Sequence, residues 1–90
     1  MTSLFPMGRV VATPGALDAL EEAQTRPSEL LRRHQAGDWG EVPPADAREN
    51  ELSVRGGFRV LSSYVVGGQK IWIITEADRS STCLLLPSDY

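Results

Sequence analysis

Two adjacent glycines, Gly67-Gly68, stand between runs dense in branched and aromatic residues, Phe58 to Val66 and Lys70 to Glu76. A two-residue primed turn needs positive φ at its central positions, which glycine adopts without a Cβ penalty, so the pair predicts a β-hairpin. The turn also sets the register. Val66 falls opposite Gln69, Tyr64 opposite Ile71, Ser62 opposite Ile73, Leu61 opposite Ile74, and Arg59 opposite Glu76 as an oppositely charged cross-strand pair. A third run, Thr82 to Leu86, follows turn residues Ala77 to Ser81, giving a three-stranded antiparallel meander. The middle strand is apolar on both faces, so helices or a second copy of the chain are expected to cover both.

Upstream, proline marks the starts of helices. Thr13-Pro14 supplies an N-cap hydroxyl and a first-turn proline, and Ala16, Leu17, Ala19, Leu20 and Ala23 form an apolar stripe behind it. Arg26-Pro27 breaks that helix and opens a second one to about Ala36, with Leu30, Leu31 and His34 inward and Gly37 at a left-handed cap. Asp38-Trp39-Gly40 is a turn. A third, polar helix starts at Pro43-Pro44, runs to about Arg55 and ends at Gly56-Gly57. Gly8 to Ala12 is a short strand. The expected fold is α+β: two or three short helices on a three-stranded antiparallel sheet, with residues 8–12 as a candidate fourth strand and a C-terminal β-meander. Residues 1–7 carry no partner pattern and are expected to be a disordered start to a single domain over 8–90.

Ninety residues suffice for one core and no more. The charge is uneven. Asp38, Glu41, Asp46, Glu49 and Glu51 are opposed in their stretch by Arg48 alone, and a net charge of −3 with pI near 5.0 argues against direct nucleic-acid binding. The lone Cys83 lies in an apolar run, where an inert buried thiol is expected. The sequence has neither a signal-like start nor a membrane-length apolar run, so a cytoplasmic location with no membrane association is expected.

The groups able to carry chemistry are few. His34 and Asp38 share a helical spacing with Glu41 close behind, but Gly37 ends the helix between them and no second histidine or paired cysteine supports a metal site. His34 reads instead as a helix C-terminal histidine favoured by the macrodipole. Ser62, Ser63, Ser80 and Ser81 have no histidine in evident partnership, so serine catalysis is not expected. The glycine pairs are not followed by a helix, as a phosphate loop requires. Glu76, Asp78 and Arg79 crowd one turn, where carboxylates and arginine ordinarily serve turn chemistry. Trp39 either folds back on the core or anchors an interface, and Trp72 suits core or dimer interface. No catalytic residue, cofactor or metal is expected.

V-A-T-P-G-A-L from Val11 to Leu17, L-L-R-R-H-Q-A-G-D-W-G from Leu30 to Gly40 and W-I-I-T-E-A-D-R-S from Trp72 to Ser80 resemble a group of short bacterial proteins. These occur on plasmids and other mobile elements and are labelled plasmid-related or type I restriction subunit M. The resemblance spans most of residues 9–90 and imports no catalytic residue. By analogy with small acidic proteins of mobile elements, it implies a protein-binding inhibitor of a host antiviral nuclease complex, of anti-CRISPR or anti-restriction type. The expected contact residues are Asp38, Trp39, Glu41, Glu76, Asp78 and Arg79. Two other classes compete: a toxin-like ribonuclease or toxin–antitoxin component using Tyr64, Glu76 and Arg79, and a helix-turn-helix regulator using Arg26, Arg32 and Arg33. A homodimer is compatible with each.

Overall fold

Each helix opens on a proline. The computed structural model describes residues 3–90, and in it β1 (Arg9–Ala12) leads into α1 (Pro14–Glu22), α2 (Pro27–Gln35) and α3 (Pro44–Gly56). The Thr13 hydroxyl caps α1 by accepting from the Ala16 amide at 3.2 Å. Gly37 and Gly57 follow α2 and α3 in left-handed conformation. Then come β2 (Val60–Val66), β3 (Gln69–Thr75), β4 (Ser81–Leu85) and a single 3-10 turn, Pro87–Asp89.

The hairpin register is the one set by Gly67-Gly68: Val66 pairs with Gln69, Tyr64 with Ile71, Ser62 with Ile73 and Leu61 with Ile74. The strand order is β1-β4-β3-β2, and β1 joins parallel to β4 with Arg9 opposite Ser81 and Ala12 opposite Leu84. The sheet is therefore mixed, where a purely antiparallel one was expected. A parallel neighbour requires a long crossover, and the three helices between β1 and the hairpin provide it. Arg59 is not joined to Glu76 by an ion pair. Its guanidinium donates to the Tyr90 hydroxyl at 2.6 Å and lies over that ring.

One sheet face, carrying Tyr64, Ile71, Ile73 and Leu84, is covered by Ala16, Ala19 and Leu20 of α1 and Leu30 of α2. Leu17 belongs to the apolar stripe by spacing yet is 47% exposed, because α1 meets the sheet along its Ala16–Leu20 edge. The opposite face is less covered: Tyr90 packs edge-on against Trp72, while Val11 and Val65 stay exposed and Cys83 is half-buried. Helices or a second copy were expected over both faces, and helices cover one.

A second apolar cluster joins Phe5, Trp39 and Val60, flanked by Met7, Val42, Ala47 and Val54. It corrects the expected disordered start for residues 3–7; Met1 and Thr2 lie outside the described residues. The Leu4 amide donates to the Gln35 carbonyl at 2.9 Å, the Gln35 side chain donates to the Phe5 carbonyl at 2.8 Å, and Phe5 is buried against the His34 ring. Burial of one phenyl ring contributes roughly 2–3 kcal/mol, enough to order a short segment with such anchors.

The outer edge of β2 is closed in two ways. The Asn50 amide of α3 imitates a neighbouring strand, accepting from the Leu61 amide at 3.1 Å and donating to the Leu61 carbonyl at 2.7 Å. Two residues on, the Ser63 amide donates to the Trp39 carbonyl at 3.0 Å and the Ser63 carbonyl accepts from the Glu41 amide at 2.6 Å. Gly40 sits between these bonds with φ +74, and a Cβ there would strike the Ser63 carbonyl, so the position demands glycine.

Candidate functional site

His34, the sole histidine, is fully buried at the centre of a polar chain. Its Nδ1 lies 2.5 Å from Ser62 Oγ and its Nε2 2.9 Å from Thr75 Oγ1. Thr75 Oγ1 is 2.7 Å from Thr82 Oγ1, which donates to the Met7 carbonyl at 2.8 Å. A carbonyl only accepts, so the direction of the whole chain follows from its end. Thr82 uses its proton on Met7, Thr75 therefore donates to Thr82, His34 Nε2–H donates to Thr75, and Ser62 donates to Nδ1. The imidazole is neutral and in one tautomer. Burial, assisted by the Arg79 charge, pushes its pKa down to about 4.

This corrects two expectations. His34 is not a charged C-terminal histidine sustained by the helix dipole, because desolvation outweighs that favourable term of about 0.3–1 kcal/mol. Ser62 does have a histidine partner, across 28 residues. Both side chains are fully buried, and each satisfies the other's polar group within the core. Among the described residues no group of three or more histidine, cysteine or acidic side chains could hold a metal ion.

Trp39 is 5% exposed, stacked near Phe5 and edge-on to His34, with its indole N–H donated to Glu51 at 3.0 Å. It is a core residue and is removed from the expected contact surface. Asp38 beside it is exposed and takes a two-pronged interaction from Arg33, with Nε to Oδ2 at 2.7 Å. That guanidinium holds the Asp38 carboxyl below its usual range. The Asp38 carbonyl accepts from the Tyr64 hydroxyl at 2.6 Å, and Arg33 stacks over the Tyr64 ring. Burial pushes Tyr64 up to about 12.

Arg79 is likewise turned inward. Its guanidinium donates to the carbonyls of Phe58 at 2.7 Å, Ser53 at 2.8 Å and Glu76 at 3.2 Å, and lies over the Phe5 ring. It ties the β3–β4 turn to the C-terminal turn of α3 and to the entry of β2, so it too leaves the contact surface. The residue holds φ +61, a conformation that costs a non-glycine residue about 1–2 kcal/mol and that three charge-assisted hydrogen bonds sustain. Of the ribonuclease trio, Glu76 and Arg79 are in contact, while Tyr64 pairs with Ile71 at the other end of β3, and Tyr64 and Arg79 both donate to backbone carbonyls. Of the arginines considered for DNA contact, Arg33 is committed to Asp38.

Glu41, Glu76 and Asp78 remain exposed, as expected. Ser80 holds the Asp78 carboxyl below its usual range through hydrogen bonds from its hydroxyl and amide. No hydrogen bond or ion pair links the Glu76–Asp78 turn to Asp38 or Glu41 among the described residues. Glu41 on the loop before α3 and Asp46, Glu49 and Glu51 on α3 are exposed together with Arg48 and Arg55, while α1 exposes Asp18, Glu21 and Glu22 with no basic residue in that helix. Sequence reasoning saw the acidic stretch but not its rigid mounting, since the mounting rests on Asn50, Trp39 and Arg79 reaching partners distant in sequence. Burial raises the Cys83 thiol, which fits an inert cysteine. No helix among the described residues is long and apolar enough to cross a membrane. The chain matches no protein family, no curated protein and no solved structure.

Proposed function

We propose that the chain is a non-enzymatic protein-binding module of a bacterial mobile element, acting as an inhibitor of a host antiviral nuclease complex of CRISPR or restriction type. The observation that carries this reading is the set of exposed carboxylates Glu41, Asp46, Glu49 and Glu51, the last three on a helix pinned to the rest of the fold through its C-terminal half. Trp39 fastens it through Glu51, Asn50 through Leu61, and Arg79 through Ser53. Nuclease effectors hold nucleic acid in positively charged channels, and a preorganised acidic set competes for such a surface while losing little entropy on binding. Its field also speeds encounter with a basic partner. Asp38 flanks the set, its charge partly answered by Arg33, and Glu76 and Asp78 offer a smaller acidic turn at the β3–β4 end.

The test is inhibition of a reconstituted nuclease effector by purified protein, with capture of the effector on immobilised chain as the binding readout. Glu41→Lys, Asp46→Lys and Glu49→Lys together are expected to abolish both while leaving the circular dichroism unchanged. Full inhibition by that triple variant would remove the acidic set from the function.

A further inference from the structure

The two edges of the sheet are treated in opposite ways. On β2, the outward backbone groups of Leu61 and Ser63 are taken up by Asn50, Trp39 and Glu41. On β1, the amides of Arg9 and Thr13 donate to Ser80 and Leu84, so Arg9, Val11 and Thr13 turn their backbone toward β4. Val10 and Ala12 must then turn theirs outward, since backbone direction alternates along a strand. Among the described residues those outward groups find no hydrogen-bond partner in the chain. Val10 and Val11 point to opposite sheet faces and each is 43% exposed. The edge strand is only four residues long and begins with the charged Arg9, but among the described residues no proline, bulge or covering loop closes its outward groups.

We infer that β1 pairs with β1 of a second copy of this chain, antiparallel about a two-fold axis, to make one eight-stranded sheet. The register follows from the backbone. Only residues with outward groups can form hydrogen-bonded pairs, and the register that uses both places Val10 opposite Ala12 of the copy and Ala12 opposite its Val10. Four main-chain hydrogen bonds result, with Val11 meeting its own copy at the axis, where side chains approach closest.

Charge complementarity selects the same occupant. In this register Arg9 faces Thr13 of the copy, and the Thr13 hydroxyl donates to Asp89 Oδ2 at 2.6 Å. Arg9 is exposed with no acidic partner in its own chain, and Asp89 Oδ1 has no hydrogen-bond partner among the described residues. Two-fold symmetry brings each Arg9 to the Asp89 of the other copy. The α3 surface lies beyond β2, at the far edge of the sheet from β1, so the association is independent of the acidic set.

Sedimentation velocity across a concentration series to about 100 µM tests this, a range suited to a small interface. A dimer is expected to fill in with concentration. Val10→Pro removes an outward amide hydrogen while leaving the β4 ladder intact, and is expected to give a folded monomer. Arg9→Glu is expected to weaken dimerisation about tenfold by placing like charges together, and Arg9→Glu with Asp89→Arg to restore it. A wild-type chain monomeric throughout, or a dimer that survives Val10→Pro, overturns the inference. Should Val10→Pro fail to fold by circular dichroism, the charge variants decide: an unchanged dimer in Arg9→Glu overturns it equally.

Discussion

Stability should fall steeply between pH 6.5 and 4.5, and one residue should account for the fall. His34 has an ordinary pKa of 6.5 in the unfolded chain and about 4 in the fold, where complete burial, assisted by the Arg79 charge, favours the neutral ring. Because the folded value is the lower one, the unfolded chain binds the extra proton first. The stabilisation is present in full above 6.5, is lost as pH falls below it, and levels off near 4. A shift of this size corresponds to about 3 kcal/mol over the whole window, of which about 2 kcal/mol is gone by pH 5. A domain this small has a urea slope near 1 kcal/mol per molar, so the unfolding midpoint should drop by about 2 M between pH 7 and pH 5. Asp38, Asp78 and Asp89 have carboxyls held below 3.8, so their losses fall beneath this window. His34→Gln should be less stable at pH 7 yet show a much flatter profile from 7 to 5. A wild-type midpoint that does not move in that interval, or an equal slope in His34→Gln, would refute the reasoning.

Further outcomes follow from the same geometry. Thr75→Val leaves His34 Nε2–H without an acceptor, and chemical denaturation should report a loss of about 2–4 kcal/mol, larger than for an exposed threonine. Arg79→Ala should cost about 2–3 kcal/mol through its three carbonyl bonds, and Arg79→Gly about 1 kcal/mol less because glycine accepts φ +61, a difference thermal melts can resolve. Asn50→Ala should lose about 1–3 kcal/mol and gain a tendency to associate through the opened β2 edge, visible by light scattering. Solution NMR of the imidazole nitrogens at pH 7 should find the proton on Nε2; the Nδ1–H form would contradict the derived direction of the hydroxyl chain.

What could be read from the residues was what neighbouring residues decide. Thr13-Pro14, Arg26-Pro27 and Pro43-Pro44 open helices through the constraint proline places on its own φ and on the residue before it, and Gly67-Gly68 sets the hairpin register pair by pair. The parallel seat of β1 depends on strand β4, distant in sequence, and no local pattern announces it. The same holds at the candidate site. Glu41 and its acidic neighbours were visible as charge, whereas the fates of Trp39 and Arg79 depend on Glu51, Phe58 and Ser53 across the fold. A tryptophan in a turn and an arginine in a turn look alike in sequence whether they face a partner or a carbonyl. The Ser62–His34 pair was missed because its members lie on different elements, and Ser62, Thr75 and Thr82, which share the polar chain with His34, come from three different strands.

The parallel union of the first strand with the last governs how the chain comes to be folded. Leu4, Met7, Arg9 and Thr13 all dock on groups made later in synthesis, those of Gln35, Thr82, Ser80 and Asp89 or Leu84. A ribosome-bound segment ending anywhere before β4 has its leading strand unpaired and its hydroxyl chain without a terminus. The β1–β4 pairing can therefore be completed only once β4 has emerged, whereas the contacts of the β2–β3 hairpin are local and need no part of the chain outside it.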